Sequence, residues 1–545
     1  YESVPQELRE KMKFLTSISV PVAWRRQYCG IFEAKVGNVI YYLIDNQYYF
    51  KRQGLYGHFD DAERFAFFSR AVLEMLPYIE FKPDIIHVND WQTALVPIYY
   101  RLFYANNDWY SGIKTLFTIH NIQYQGQYGF EILEDVFGIP KTESSLLEYN
   151  KCVNLMKGAI ESANWVSTVS PTYAKEILDP WFAHKLDPIL RERAWKLSGI
   201  LNGIDTVGYD PSTDQSLYEH YDVENMAGKA VNKAKLQERL YLEVDPNVPM
   251  IGMVTRLVSH KGLDLVKGAV DNIMTYTNAQ FAVLGSGDWE YEQFFKEMQA
   301  KYPGRFVLCL GFVPELARKI YAGSDIFLMP SKSEPCGLSQ MVALRYGSIP
   351  VVRETGGLKD SITDSGDGKG NGFTFQAYDT QDMLNSVHRA IYAYNESKDG
   401  WQVLVKRAME CDNSWGRSAN EYIRGRFRQI GGTIVSTIAQ ADGLLIRRME
   451  DSPADFEQVL RWMTDPETMR FWEGMTEHYD IARVEAEYRG HDAENTTPCI
   501  VELGGRAVGY MQFAPIGTAA DYEIPEAEWE KIVRPGETAY GIDMY

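Results

Sequence analysis

The chain has 545 residues, of which 45% are hydrophobic and 24% charged, and its 55 Lys+Arg against 74 Asp+Glu give a net charge of −19. At roughly 150 residues per domain this predicts three or four domains, and the mix excludes disordered, collagen-like and coiled-coil chains. So acidic a surface repels phosphate backbones, which makes nucleic acid a poor candidate partner. No apolar run reaches the roughly 18 residues of a membrane span, and no membrane partner is expected.

The chain opens on Tyr1 without the basic-then-apolar pattern of an export signal. Its six cysteines form no C-x-x-C pair. They read as the reduced thiols of a cytoplasmic protein, with neither a zinc site nor a disulfide framework.

From Pro83 to Thr355 short apolar strands alternate with helical stretches. Strands are predicted over 84–89, 115–120 and 163–169. A helix is predicted over Trp91 to Leu102, and Pro171 opens another. The series restarts after Glu243–Asn247, with strands over 250–255, 281–284, 306–310, 325–329 and 349–352 and a helix from Lys261. Such alternation builds parallel sheets covered by helices. The restart near residue 245 predicts an α/β chain with two doubly wound domains facing a cleft. Asn413 to Ile430 is predicted helical, and Gly431-Gly432 breaks the pattern. Beyond it lie a strand over 444–449, a helix over 454–463, and a hairpin over 500–513 turning at Gly504-Gly505. From Gly443 onward nine Lys/Arg face 21 Asp/Glu, a net −12, which sets this tail apart as a second module.

In open α/β sheets ligands sit beyond the carboxyl ends of the strands. Arg256 and Lys261 both fall in the strand-to-helix turn after the strand over 250–255. Two cations beside positive helix amides make an anion site, or else ordinary surface charge. Glu334 directly precedes a helix start at Cys336, Gly337, Leu338 and Ser339. The amides suit phosphate and the carboxylate suits sugar hydroxyls; the plain alternative is a helix cap. Thr355-Gly-Gly-Leu358 repeats the pattern one strand later. His120, Asp90 and Asn202 each have a plain reading as well: a core histidine, a helix cap, and a tight turn at Asn202-Gly203. Gly285-x-Gly287 lacks the third glycine of a dinucleotide fingerprint. The acidic spacing over Asp364–Gly372 is wrong for calcium, and a flexible loop is expected there. No D-x-D pair is placed to hold a metal.

Taken together, several strings resemble bacterial glycogen (starch) synthase of the ADP-glucose type. They are His87-Val-Asn-Asp-Trp-Gln-Thr-Ala-Leu, Phe117-Thr-Ile-His-Asn-Ile-Gln-Tyr-Gln-Gly and Lys196-Leu-Ser-Gly-Ile-Leu-Asn-Gly-Ile-Asp. With them stand Thr255-Arg-Leu to Lys261-Gly-Leu, Pro330-Ser-Lys-Ser-Glu-Pro-Cys-Gly-Leu-Ser-Gln and Thr355-Gly-Gly-Leu. The similarity runs from about residue 1 to 428. It implies two Rossmann-like domains in the GT-B arrangement. It implies retaining transfer of glucose from ADP-glucose to the non-reducing end of an α-1,4-glucan (glycogen), with no metal and no cofactor. By position Arg256 and Lys261 would bind the diphosphate, and Glu334 would contact the glucose. The amides after Cys336 would hold phosphate; His120, Asp90 and Asn202 would line the sugar pocket; Phe312 would stack on adenine. The family's N-terminal Lys-x-Gly-Gly-Leu loop is not found, so the chain is expected to start some tens of residues late, without a first strand. A GT-B transferase using another nucleotide sugar, and a glucan-binding protein without turnover, are the competing readings.

The tail resembles a second family. Leu445-Ile-Arg-Arg-Met, Leu460-Arg-Trp-Met-Thr-Asp-Pro-Glu, Thr497-Pro-Cys-Ile-Val-Glu-Leu, Gly509-Tyr-Met-Gln-Phe and Tyr540-Gly-Ile-Asp-Met are similar to aminoglycoside 6′-type N-acetyltransferases of the GNAT superfamily. This implies a partial α+β domain, acetyl-CoA as cofactor if the module is complete, and an aminoglycoside as acceptor, with Asp543 near the acceptor amine. The expected division is 1–243 and 244–428 for the two transferase domains, a linker over 429–443, and the acetyltransferase module over 444–545.

Overall fold

The computed structural model describes residues 4–79, 81–423, 437–441, 444–449, 453–465, 480–488, 497–503, 506–516 and 539–544. The chain divides into two units, Tyr1–Gly431 and Gly432–Tyr545.

The first unit opens with an antiparallel sheet that precedes the predicted strands: β1 (Lys13–Val22), β2 (Arg25–Val36) and β3 (Val39–Asp45). One face is buried, through Val20, Val22, Cys29 and Ile31, over helix α1 (Asp61–Met75). A four-stranded parallel sheet follows, built from β4 (Ile85–Asn89), β5 (Lys114–Ile119), β6 (Trp165–Thr168) and β7 (Leu197–Gly199) in the order β7-β6-β5-β4. Leu116, Phe117, Ile119 and Val166 are wholly or almost wholly buried. Parallel strands covered on both faces read as continuous apolar runs for that reason. The short helix α2 (Pro171–Glu176) leaves the end of β6, with Ser170 Oγ capping it through the Tyr173 amide at 2.9 Å.

Helix α3 (Ala227–Arg239) leads into the second sheet. Its strands are β8 (Met250–Val254), β9 (Gln280–Gly285), β10 (Phe306–Leu310), β11 (Ile326–Met329), β12 (Ile349–Arg353) and β13 (Phe373–Phe375). They are all parallel, in the order β10-β9-β8-β11-β12-β13. The order reverses between β8 and β11, the position where doubly wound sheets bind ligands. The connecting helices include α4 (Leu263–Tyr276), α5 (Pro314–Gly323), α6 (Ser339–Arg345) and α7 (Gly356–Ser361). Helix α3 packs on α5, so the second core draws in a segment ahead of residue 244.

Some bounds differ from the sequence reading. The predicted helix over Trp91–Leu102 is a 3-10 turn at Trp91–Thr93, an α-helix at Leu95–Tyr99 and a π-turn at Tyr100–Tyr104. Pro97 lies inside it and lacks the amide a regular helix would use there. Lys261 ends a 3-10 turn, and the helix starts only at Leu263, because Gly262 takes φ +73°. Of the helix predicted over Asn413–Ile430, Trp415–Glu421 is helical. Its part beyond residue 423, the Gly431-Gly432 break and the Gly504-Gly505 turn lie outside the described residues.

The second unit contains an antiparallel five-stranded meander in sequence order: β14 (Thr437–Ala441), β15 (Leu444–Arg448), β16 (Thr497–Leu503), β17 (Arg506–Ile516) and β18 (Ala539–Met544). Helices Pro453–Thr464 and Ile481–Tyr488 accompany it. A small core gathers Met449, Phe456, Val459, Met463, Val484, Ile500 and Tyr510. Arg447 is tied to Asp455 at 2.6 and 2.7 Å and to Glu502 at 2.6 Å. Among the described residues no helix is long and apolar enough to cross a membrane.

Candidate active site

Two strand ends meet at the switch point of the second sheet. Past β8 the chain carries Arg256 and Lys261; past β11 it runs from Pro330 to the start of α6. Lys261 Nζ donates to Glu334 Oε2 at 2.6 Å, and Ser331 Oγ donates to the same oxygen at 2.9 Å. The two charged side chains keep 17% and 10% of their exposure, so the pair is largely screened from water. Both bonds fall on Oε2. The carboxylate therefore still has Oε1 with which to accept from a ligand hydroxyl.

The backbone of Glu334 is held from behind. The Gly357 amide donates to the carbonyls of Glu334 and Pro335, each at 3.1 Å. Gly356 takes φ +44°, and a Cβ there would lie 2.0 Å from the Glu334 carbonyl oxygen. Only glycine lets the first turn of α7 press on the Glu334 segment.

Cys336 is buried, and burial pushes its thiol up to about 12 while the Asn202 backbone, bonded to it, pulls the other way. It is a neutral thiol at physiological pH. Gln340 Nε2 donates to the carbonyls of Cys336 at 3.1 Å and Gly337 at 2.9 Å, which fixes the turn ahead of α6. Leu338 is half exposed, and Ser339 opens the helix. First-turn amides of a helix have no intrahelical acceptor, so this turn can face an anion.

A cavity of about 350 Å³ lies beside this turn, lined by Arg256, Ser286, Phe312, Arg318, Tyr321 and Ser339 among others. Phe312 is 92% exposed at the rim of this cavity. Its apolar face is available to a flat partner.

Asp90 and His120 form a separate cluster at the ends of β4 and β5. The Asp90 carboxylate accepts from the His120 amide at 2.8 Å, and from the Asn121 amide as well. Burial pushes this carboxyl upward, and the His120 ring and the two amides pull against it. His120 Nε2 lies 2.9 Å from Asn89 Oδ1. Asp90 sits at φ 57°, ψ −178° and makes no side-chain cap to the following turn, so the plain reading of it as a helix cap fails. Such a backbone costs a non-glycine residue about 1–3 kcal/mol and persists only where surrounding bonds enforce it.

Asn202-Gly203 is not a tight turn. Gly203 lies flush against another backbone segment, where a Cβ would come within 2.4 Å of the Trp415 amide nitrogen, and Ile204 bridges to Ser414.

The structure thus joins Lys261 to Glu334, Asn202 to Cys336, Asp90 to His120, and sets Arg256, Phe312 and Ser339 around one cavity. Among the described residues no group of three or more His, Cys, Asp or Glu could hold a metal ion. The Asp364–Gly372 segment is built round an ion pair: the two terminal guanidinium nitrogens of Arg389 donate to Asp364 Oδ1 and Oδ2, each at 2.8 Å. Asp543 lies in β18 opposite Gln512.

Two carboxylates escaped the sequence reading. Glu176, at the end of α2, accepts from Thr355 Oγ1 at 2.9 Å and from the Gly356 amide at 3.1 Å. Asp360, on α7, accepts from the Thr172 amide at 2.8 Å and from Thr172 Oγ1 at 2.6 Å. Each helix start is visible in the sequence, at Ser170-Pro171 and at Thr355-Gly-Gly. That each supplies the carboxylate for the other is not.

Comparison with known proteins gives three family matches. Residues 1–192 match the starch synthase catalytic domain, residues 237–399 the glycosyl transferases group 1 family, and residues 451–527 the acetyltransferase (GNAT) domain. The glycogen synthase of Alkaliphilus metalliredigens is 48% identical over 435 residues, which cover 79% of this chain and 91% of that protein. The glycogen synthase of Geobacillus stearothermophilus is 48% identical over 426 residues, covering 77% and 87%. Among solved structures, the catalytic domain of starch synthase IV from Arabidopsis thaliana bound to ADP and acarbose matches with a TM-score of 0.70 at 35% identity. That match covers 77% of this chain and 89% of that chain.

Proposed function

We propose a role for each residue of the site on one premise: the chain belongs to the glycogen synthase family. It is a glycosyltransferase of GT-B fold that carries a GNAT domain behind it. The donor is ADP-glucose and the acceptor the non-reducing end of an α-1,4-glucan. The glucosyl C1–O bond to the diphosphate breaks, and ADP leaves with the bonding electrons. The acceptor 4-hydroxyl oxygen bonds to C1 on the face ADP leaves, and its proton passes to the departing phosphate.

Arg256 and Lys261 neutralise the charge that grows on the leaving phosphate, the term that weighs most in such a transition state. The amides from Cys336 to Ser339 hold phosphate as helix starts do, Gly337 and Leu338 between them. Glu334 accepts from glucose hydroxyls through Oε1. His120, Asp90 and Asn202 line the sugar pocket, and Phe312 stacks on adenine. Two cations and a helix start supply the neutralisation that a metal would otherwise give, so no metal and no cofactor is needed.

The observation that carries this reading is the Lys261–Glu334 pair at 2.6 Å on opposite sides of the switch point. The test is ADP release from ADP-glucose with glycogen as acceptor and UDP-glucose as competitor. Glu334→Ala and Lys261→Ala each cut the rate by orders of magnitude; near wild-type rates in either would overturn the assignment. A preference for UDP-glucose would move the chain to another donor.

The division at 1–243, 244–428 and 444–545, with a linker over 429–443, belongs to this proposal, α3 riding on the second domain. So does a cytoplasmic location. For the GNAT module, the net −12 from Gly443 onward favours a polycationic aminoglycoside acceptor, with acetyl-CoA as acyl donor and Asp543 near the acceptor amine. Acetyl transfer to kanamycin by the full chain tests it, and its absence removes this part alone.

A further inference from the structure

We infer that Glu176 is a positioning residue for glucosyl transfer, acting through the first turn of α7 on the backbone that carries Glu334. The inference rests on the donor-site reading above.

Helices α2 and α7 follow strands of different sheets, yet each caps the other. Asp360 of α7 takes the Thr172 amide in the first turn of α2, at 2.8 Å. Glu176 of α2 takes the Gly356 amide, the first of α7, at 3.1 Å. Such reciprocal caps satisfy amides that neither helix can satisfy itself, and they fix the two helices to each other in register. One of the two lies directly behind the site. Gly357, next to the capped Gly356, donates to the Glu334 and Pro335 carbonyls. Gly356 itself is packed so tightly on the Glu334 carbonyl that no Cβ fits between them. A shift of α7 is therefore a shift of Glu334, whose carboxylate meets Lys261 on Oε2 and offers Oε1 to the sugar.

Glu176 is an expensive residue for a cap. Its Oε2 is buried and has no hydrogen-bond partner among the described residues, and so is the Arg353 Nε. Burial pushes the Glu176 carboxyl upward, opposed by the Gly356 amide, Thr355 and the charge of Arg353. A serine or asparagine would cap α7 without burying a charge. What the longer glutamate adds is reach from the first sheet's helix to the loop behind Glu334. Positioning errors of about 1 Å remote from the reacting atoms are enough to cost a large factor in rate.

The experiment measures initial rates of ADP release by the full chain, varying ADP-glucose and glycogen separately. Glu176→Ala is expected to lower kcat by about tenfold or more, the weight of a charge-assisted hydrogen bond, with the KM for glycogen unchanged. Glu176→Gln, which keeps a carbonyl oxygen for both bonds, should stay within about fivefold of wild type. The double variant Glu176→Ala with Thr355→Val should be no slower than Glu176→Ala alone, because the two side chains act as one unit. A wild-type kcat in Glu176→Ala, equal losses in the Ala and Gln variants, or additive losses in the double variant would each overturn the inference. If Glu176→Ala does not fold, the Gln variant and the additivity of Glu176→Gln with Thr355→Val decide. Glu334→Ala and Lys261→Ala run alongside. If these keep wild-type rates the donor-site reading falls; if they collapse and Glu176→Ala does not, only this inference falls.

Discussion

Both parallel sheets end a strand in a carboxylate at the proposed site, and they hold it by opposite means. Glu334, after β11, is held by the ammonium of Lys261 and the hydroxyl of Ser331, both on one oxygen. Asp90, after β4, is held by the backbone amides of His120 and Asn121, on a strained backbone of its own. A cation can trade partners when an anionic ligand arrives; an amide in a folded backbone cannot. Glu334 is thus built to exchange contacts and Asp90 to brace, and what Asp90 braces is the chain at His120.

The largest expected effect separates charge pairing from catalysis at Glu334. Lys261→Met leaves a nearly buried carboxylate without its cation, and should lower stability by about 2–3 kcal/mol as well as abolish measurable ADP release. Adding Glu334→Gln should return most of the stability and none of the activity. A double variant as unstable as Lys261→Met would mean that the pair is not what holds this turn. Denaturant unfolding and ADP release on the same preparations read both quantities.

At Asp90 the comparison predicts something milder. Asp90→Asn keeps an acceptor for the His120 amide and should keep the rate within about tenfold of wild type, since neutral acceptors still make most of the bond. Asp90→Gly relieves the backbone but frees His120, so the rate should fall further while stability changes little, about 1–3 kcal/mol of strain offsetting the lost bonds. If Asp90→Asn is as damaging as Glu334→Ala, the charge of the carboxylate, and not its bracing of His120, is what the sugar pocket uses.

These residues also mark how far the sequence could be read. The alternation of apolar runs with helical stretches announced both parallel sheets, because strands covered on both faces need uninterrupted Val, Ile, Leu and Phe. The same pattern placed Arg256, Lys261 and Glu334 just past strand ends, and the resemblance to glycogen synthase implied a role for each. The antiparallel sheet β1–β3 was missed, since its alternation is masked by exposed aromatics such as Tyr28 and Tyr41. The strain at Asp90, the close approach at Gly203 and the reciprocal caps were not legible either. Each depends on where a second, distant backbone passes: Ser414 against Gly203, Thr355 against Glu176. Local pattern carries no record of such pairings.

Phe312 sharpens the comparison from the proposed nucleotide side of the cavity. Phe312→Ala should raise the KM for ADP-glucose by about 3–10-fold through lost stacking, roughly 0.5–1.5 kcal/mol, and leave kcat unchanged. A fall in kcat with KM unchanged would place the ring against the reacting centre instead of the base.

Asp364 combines the two ways of holding a carboxylate, and it does so away from the donor site. Burial pushes its carboxyl up, but the paired Arg389 guanidinium and the Thr374 and Gly366 amides outweigh this and bring it from 3.8 down to about 2. An acid whose folded value is depressed contributes stability that is present above its unfolded value and lost as the pH falls through its folded value. The difference in Tm between wild type and Asp364→Asn should therefore be full at pH 6, shrink below about pH 4 and be gone near pH 2. Because the pair is partly exposed, the difference should be a few degrees and should shrink in high salt. If it falls with pH but does not respond to salt, the amides alone hold this loop, as they hold Asp90, and the Arg389 pair adds nothing that the Glu334 pair could be compared with; if it survives unchanged at pH 2, ionisation of Asp364 contributes nothing.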